Sequence, residues 1–322
     1  MMEGPIQFDR TTGAMTGANA WERGIGLLLM AGSKVGSLIS HRGYNSCANL
    51  LKTLLPERDI NILLNADAVF SFPYGDGYWS KLLNRTFMYE DELELLLFDC
   101  KDVDYTFIDC GANYGYWSVL ASSPRFGSHR AIALEPSSKN FLRLAHNAKL
   151  NGGRFYPLHA AVGAERGTAR LSGTRHEAFS IAGDLEAGGE EVTVLSLDNL
   201  IDDGRIAAQG KYVVKLDVEG VEIDALKGGT LLLAADAMVI CEEHGNDPTH
   251  AVSRYILEHT PMQAIVHDPV TDRFEPLTDL KMLDRIKFAS NVGYSVFATA
   301  SAFWQQRIYA VNSGNARRAM TQ

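Results

Sequence analysis

The chain has 322 residues, with 39 Asp and Glu against 30 Lys and Arg, a formal charge of -9, and 46% hydrophobic residues. That is the composition of a folded protein with a sizeable core, and it excludes disordered and fibrous classes. The acidic balance argues against nonspecific nucleic-acid binding, which needs a clustered positive surface; Arg317 and Arg318 form the one notable basic cluster near an end. Cys47, Cys100, Cys110 and Cys241 have no C-x-x-C spacing. Neither a zinc site nor a disulfide framework is expected, and a reducing, cytoplasmic compartment fits.

The first twenty residues lack periodicity and read as loose. Residues 21–55 carry mostly helical apolar spacing, ended by Pro56. Their most apolar part, 24–40, is interrupted by Lys34, glycines and polar residues, so it reads as a helix of a soluble protein and not as a membrane span. The same region could pack against a second subunit, which leaves a homodimer open. Two β-like runs, 61–64 and 68–72, predict a hairpin. The run 89–98 is acidic at its start and apolar later, which suits a helix.

From Tyr105 onward, short apolar runs at 105–109, Arg130–Glu135, 153–160, 212–217 and 237–242 alternate with helical stretches, notably Ser138–Leu150 and 221–233. Strands alternating with helices predict crossover units and a mainly parallel sheet. The Gly-, Glu- and Thr-rich stretch 163–199 has room for an extra hairpin, and 295–298 reads as a late strand. The organisation expected is an N-terminal helical and hairpin extension (1–100), an α/β domain (101–301) and a C-terminal tail (302–322).

Residues 107–118, FIDCGANYGYWS, run from a strand through a glycine-containing turn into a helix. Gly111 and Gly115 permit positive φ and close approach of a ligand at the carboxyl edge of a sheet, which makes the turn a nucleotide-type site. The G-x-G-x-x-G spacing of a dinucleotide loop is missing, and Asp109 stands two residues before the first glycine. That acid would repel a pyrophosphate but tolerate the ammonium and sulfonium of S-adenosylmethionine. Glu135 ends the second strand, 26 residues further on, where an acid can accept hydrogen bonds from both ribose hydroxyls.

These runs, with ALEPSSKNFLRLAHNAKLNG, VLSLDNLI and YVVKLDVEGVEIDALKGG, resemble the FkbM family of class I S-adenosylmethionine-dependent methyltransferases over about 89–245. The resemblance implies a Rossmann-like class I methyltransferase fold with a mainly parallel seven-stranded sheet. It also implies methyl transfer from S-adenosylmethionine to a hydroxyl of a sugar, glycolipid or secondary metabolite. Asp109, Gly111, Ala112, Asn113, Gly115, Glu135 and Pro136 would hold the cofactor, with Ala161 beside the adenine and Asp217 near the donor. Tyr89 and Glu90 occupy the place of a similar pair in the family, although an acidic helix start explains them as well.

The strand 211–216 is odd for a central parallel strand, because Lys215 interrupts its apolar run. A buried lysine needs partners, and by alternation Asp217 and Glu219 share its face. Glu242 and His244 end the next strand, so the implied strand order would gather these five groups at the carboxyl edge. His244, Asp217, Glu219 and Glu242 are the candidate catalytic residues, with His244 favoured as base because its ordinary pKa lies nearest neutrality. Lys215 reads as structural. No metal is expected, although Asp217, Glu242 and His244 would make an acceptable shell. Phe72, Tyr74, Tyr78 and Trp79 read as hairpin core before they read as an acceptor wall, and His159 reads as a strand-end histidine. The alternatives are a nicotinamide-dependent oxidoreductase or a non-catalytic cofactor-binding subunit.

Overall fold

A computed structural model describes residues 4–37, 41, 43–175, 178–182, 189–243, 247–287 and 293–314. The N-terminal stretch read as loose begins as structure. β1 (Ile6–Asp9) pairs antiparallel with β2 (Met15–Thr16), burying Ile6 and Phe8 on one face. Three alternating residues are too few to register as a period in the sequence. α1 (Ala20–Gly36) starts in a capping box: the Asn19 side chain accepts from the Glu22 N–H at 3.0 Å, and the Glu22 carboxylate accepts from the Asn19 N–H at 2.8 Å. The long helical run is two helices, α1 and α2 (Tyr44–Lys52). β3 (Asp59–Asn65) and β4 (Ala68–Pro73) form the predicted hairpin, and the sheet order is β2-β1-β3-β4.

After α3 (Asp91–Asp99) come β5 (Thr106–Cys110), α4 (Tyr116–Ala121), β6 (Arg130–Glu135), α5 (Ser138–Leu150) and β7 (Phe155–His159). The predicted extra hairpin proves to be part of a small second sheet. Its strands are β8 (Ala161–Val162), β9 (Gly167–Arg175), β10 (Ala178–Ala182) and β11 (Glu190–Leu195), in the order β10-β9-β11-β8. α6 (Leu197–Asp202) leads to β12 (Lys211–Leu216). The helix expected over 221–233 is broken into α7 (Glu222–Lys227) and α8 (Thr230–Ala234) at Gly228, where a Cβ would lie 2.4 Å from the Gly163 carbonyl oxygen. β13 (Asp236–Glu243), α9 (Ala251–His259), β14 (Gln263–Asp268), β15 (Arg273–Pro276), α10 (Lys281–Ile286) and β16 (Tyr294–Thr299) complete the sheet.

The large sheet runs β15-β14-β16-β13-β12-β5-β6-β7. Six of its strands are those read from the sequence; β14 and β15 are two more, so the sheet has eight strands where the resemblance implied seven. β12, β13, β5, β6 and β7 pair in parallel, while β16 runs antiparallel between β13 and β14. The chain leaves β5 toward β6 on one side and returns to β12 on the other. Loops therefore part at the carboxyl ends of β5 and β12, the switch point where open α/β sheets bind ligands. The described part of the tail begins with α11 (Ala302–Ala310), anchored by the fully buried Trp304, whose indole N–H donates to the Asp236 carbonyl at 2.8 Å.

The extension is bolted to the sheet through α5. Asn147 and Asn151 are four residues apart and share one helix face. Each side-chain amide completes a strand-like pair with the outer edge of β4. Asn147 accepts from the Ser71 N–H at 2.8 Å and donates to the Ser71 carbonyl at 3.0 Å; Asn151 does the same with Val69 at 3.0 and 2.7 Å. Two side chains thus stand in for a neighbouring strand. One apolar cluster runs from Ile6 and Phe70 through Phe107 and Trp117 to Trp304, and a second fills the other face of the sheet.

Candidate active site

The turn after β5 is shaped by backbone approach. Gly111 has φ +78°, and a Cβ there would lie 1.8 Å from the Asp217 carbonyl oxygen, so the turns after β5 and β12 touch main chain to main chain. Its N–H and that of Ala112 donate to the Leu134 carbonyl at 2.9 Å. Asn113 takes the left-handed conformation, φ +52°, which points its N–H at Glu135 Oε2, 2.8 Å away. Gly115 caps α4 at φ +87°; a Cβ there would meet Leu144 at 2.5 Å. Gly115 packs behind the turn and does not border the cleft that Gly111, Ala112 and Asn113 line.

That cleft is bordered by Asp109, Gly111, Ala112, Asn113, Glu135, Pro136, Ala161 and Asp217, all expected to hold cofactor, and by Glu219. Asp109 accepts from the Ser118 hydroxyl at 2.7 Å, and burial pushes its carboxyl up to about 6. Glu135 accepts from the Asn113 and Ser137 N–H groups, at 2.8 and 2.9 Å, and from the Asn140 amide at 3.4 Å. Burial outweighs these bonds and pushes it up to about 8. His159, at the end of β7, hydrogen-bonds the Pro136 carbonyl at 3.0 Å and stacks on Phe141, as a strand-end histidine should.

On the neighbouring strand Lys215, 4% exposed, sits in register with Asp109. Its ammonium lies 2.8 Å from Asp217 Oδ2 and 3.7 Å from Glu90 Oε2. Burial alone would lower its pKa, but the surrounding carboxylates hold it well above the usual lysine range. Glu90 also accepts from the Trp117 indole N–H at 2.9 Å. Glu90 is thus built into the site, and the helix-start explanation does not describe its contacts. Carboxylate oxygens of Glu90, Asp217 and Glu242 lie within 4.8 Å of one another. Burial and then the charge of Asp217 push Glu242 well above the ordinary carboxylate range. Among the candidate acids, Asp217 and Glu219 border the cleft, whereas Glu242 stands beside Asp217 and Glu90 without bordering it. His244 lies outside the described residues; among the described residues it is Glu90 that stands beside Asp217 and Glu242.

The four hairpin aromatics divide. Phe72 and Tyr74 are buried core, while Tyr78 and Trp79 border the cleft together with Tyr89, Tyr116 and Trp117. Trp79 stacks on Tyr116 and Tyr89 on Trp117, at 5.6 and 6.0 Å between centroids, and the Tyr78 and Tyr89 hydroxyls are 2.8 Å apart. Tyr116, Trp117 and Asn140 were not picked out from the sequence. Glu222 was missed as well: its carboxylate accepts from the N–H groups of Val218 and Gly220 at 3.1–3.3 Å and holds the loop carrying Glu219. Its spacing three residues after Glu219 in VEGVE was the available signal.

Residues 109–261 match the family model of the methyltransferase FkbM domain. The chain is 29% identical over 160 residues to hexuronic acid methyltransferase AglP of Haloferax volcanii, a match covering 49% of this chain and 64% of that relative, just under two thirds of its length. Among solved structures it is similar to a methyltransferase FkbM from Methylobacillus flagellatus KT, with 17% identity, 61% of this chain and 43% of that one covered, and a TM-score of 0.40. A SAM-dependent O-methyltransferase from Thermotoga maritima matches at 13% identity over 67% of each chain, with a TM-score of 0.34. Through residues 109–261, this chain is similar to the methyltransferase FkbM domain.

Proposed function

We propose that the chain is an S-adenosylmethionine-dependent O-methyltransferase acting on a hydroxyl of a carbohydrate. The observation that carries this reading is the pair of buried carboxylates, Asp109 and Glu135, at the carboxyl ends of adjacent parallel strands and on the border of one cleft. Glu135 suits a ribose diol, and Ala161, Val162, Leu171 and Pro136 make an apolar bed for an adenine. Asp109 and Asp217 favour a cationic donor and oppose a pyrophosphate, so the nicotinamide reading finds no support in this donor set. S-adenosylmethionine supplies an electrophilic methyl on a sulfonium.

The chain's own residues have the remaining work. Tyr78 and Tyr89, half-buried on the border of the cleft, offer aromatic surface on which a sugar ring can rest, next to Asp217 and Glu219. Asp217 borders the cleft and, held by Lys215, can accept the proton of an acceptor hydroxyl. On sequence grounds we retain His244 as an alternative base, and Glu242 as a partner of Asp217. Expected as a soluble, reducing-compartment enzyme, the chain contains no helix, among the described residues, that is long and apolar enough to cross a membrane.

Calorimetry with S-adenosylhomocysteine should give a micromolar Kd and NADH no heat; the reverse result would overturn the assignment. Labelled methyl transfer to a panel of uronosides and neutral glycosides then tests the acceptor class. Donor binding without transfer to any of them would favour a non-catalytic subunit. For the base, Asp217→Asn should lower kcat by about 100-fold or more with Kd for S-adenosylhomocysteine changed severalfold at most. If His244→Ala does this and Asp217→Asn does not, the base is His244.

A further inference from the structure

α1 is apolar on two faces. Ile25, Leu29, Ser33 and Gly36 pack inward, while Trp21, Leu27, Leu28 and Val35 are 57, 63, 57 and 64% exposed on the opposite arc. α2 lies alongside, its C-terminal end tied to the start of α1 by the Trp21 indole N–H donating to the Leu54 carbonyl at 3.0 Å. It adds Leu50, and the turn after it Leu54, 69 and 54% exposed. So many large side chains exposed on one helix pair need a partner.

The charge around this face says which partner. The whole chain carries nine more acids than bases, yet between residues 20 and 55 Glu22 is the single acid, against Arg23, Lys34, Arg42 and Lys52. Glu22 is fully buried and bonded to Arg58 at 2.9 Å, and the next acid, Glu57, lies beyond the end of α2. Arg23 and Lys34 are exposed and Lys52 half-exposed. An apolar arc bordered by cations, with no exposed acid on either helix, is complementary to an anionic lipid surface. A second copy meeting the same face about a two-fold axis would instead oppose like charges.

We propose that the exposed face of the α1–α2 pair is a monotopic membrane-docking surface for anionic bilayers. The pair touches the cleft's rim. The Ser33 hydroxyl donates to the Lys81 carbonyl at 3.3 Å, and the Asn49 side chain accepts from the Gly77 N–H at 3.1 Å, on either side of Tyr78 and Trp79. This inference does not depend on the reaction proposed for the cleft.

The test is co-sedimentation of the full chain with vesicles of equal phosphatidylglycerol and phosphatidylcholine. Binding is expected, and it should weaken by at least about tenfold in pure phosphatidylcholine or in 1 M salt. Trp79, Trp117 and Trp304 are buried, so a blue shift on binding reports Trp21 and should vanish in Trp21→Phe. Leu28→Glu/Val35→Glu should abolish binding while keeping the thermal melt and the affinity for S-adenosylhomocysteine. Should that variant fail to fold, Lys34→Glu/Lys52→Glu should still weaken binding by about tenfold. No co-sedimentation of the wild-type chain overturns the proposal; if light scattering then shows a dimer that Leu28→Glu/Val35→Glu separates, the face is a seam between two copies.

Discussion

Glu135 was legible as an acid at the end of the second strand, but its state follows from its burial. Accepting two backbone N–H groups should favour the carboxylate, yet loss of water raises its pKa to about 8. A donor whose ribose hydroxyls hydrogen-bond to this group prefers it ionised. Affinity for S-adenosylhomocysteine should therefore rise about tenfold between pH 7 and 9, as the ionised fraction goes from about a tenth to about nine tenths, and then level off. In Glu135→Gln the profile should be flat over that range and the affinity lower throughout, measured by calorimetry in matched buffers. Lys215 makes the opposite case: its sequence position announced a buried charge, and the structure supplied a partner, Glu90, from a distant segment. Lys215→Met should cost about 3–5 kcal/mol in urea unfolding at pH 7, because Asp217 and Glu90 lose their counter-ion in a dry site.

At the scale of elements, the strands that alternate with helical stretches between 105 and 242 were readable, and so was the hairpin. β14, β15, α9 and α10 were not, since an apolar core such as Ala264–Ile265–Val266 is too short to carry a period. The packing of α5 on β4 was also hidden: nothing in NFLRLAHNAKLNG distinguishes an asparagine that caps a sheet edge from one facing water. Asn147→Ala would strand the Ser71 N–H and the Ser71 and Tyr114 carbonyls, the last held at 2.9 Å, and should destabilise by about 3 kcal/mol. Asn19→Ala removes one exposed helix cap and should cost about 1 kcal/mol. Urea midpoints at constant m distinguish the two; equal losses would mean that the side-chain ladder on β4 contributes little.

For the whole molecule, we propose that residues 1–100 fold onto the 101–301 body and not by themselves. Phe70 and Trp79 of the extension pack on Tyr116 at 5.5 and 5.6 Å, and the same apolar cluster continues to Trp304 of α11. Tryptophan fluorescence and far-ultraviolet dichroism should then give coincident unfolding curves for the full chain, and a 101–301 fragment should lack a cooperative transition. Two separated transitions would show that the extension is a unit in its own right.

Composition, strand and helix periodicity and the order of Asp109, Gly111, Gly115 and Glu135 determined the class of fold and the kind of ligand proposed for the first loop, because those signals are local and depend on backbone geometry alone. Tertiary structure decided which charges meet. The gathering of Glu90 with Lys215, Asp217 and Glu242, the splitting of Phe72 and Tyr74 from Tyr78 and Trp79, and the exposed apolar arc on α1 all depend on burial and on contacts between segments far apart in the chain. No periodicity within a single element encodes such contacts.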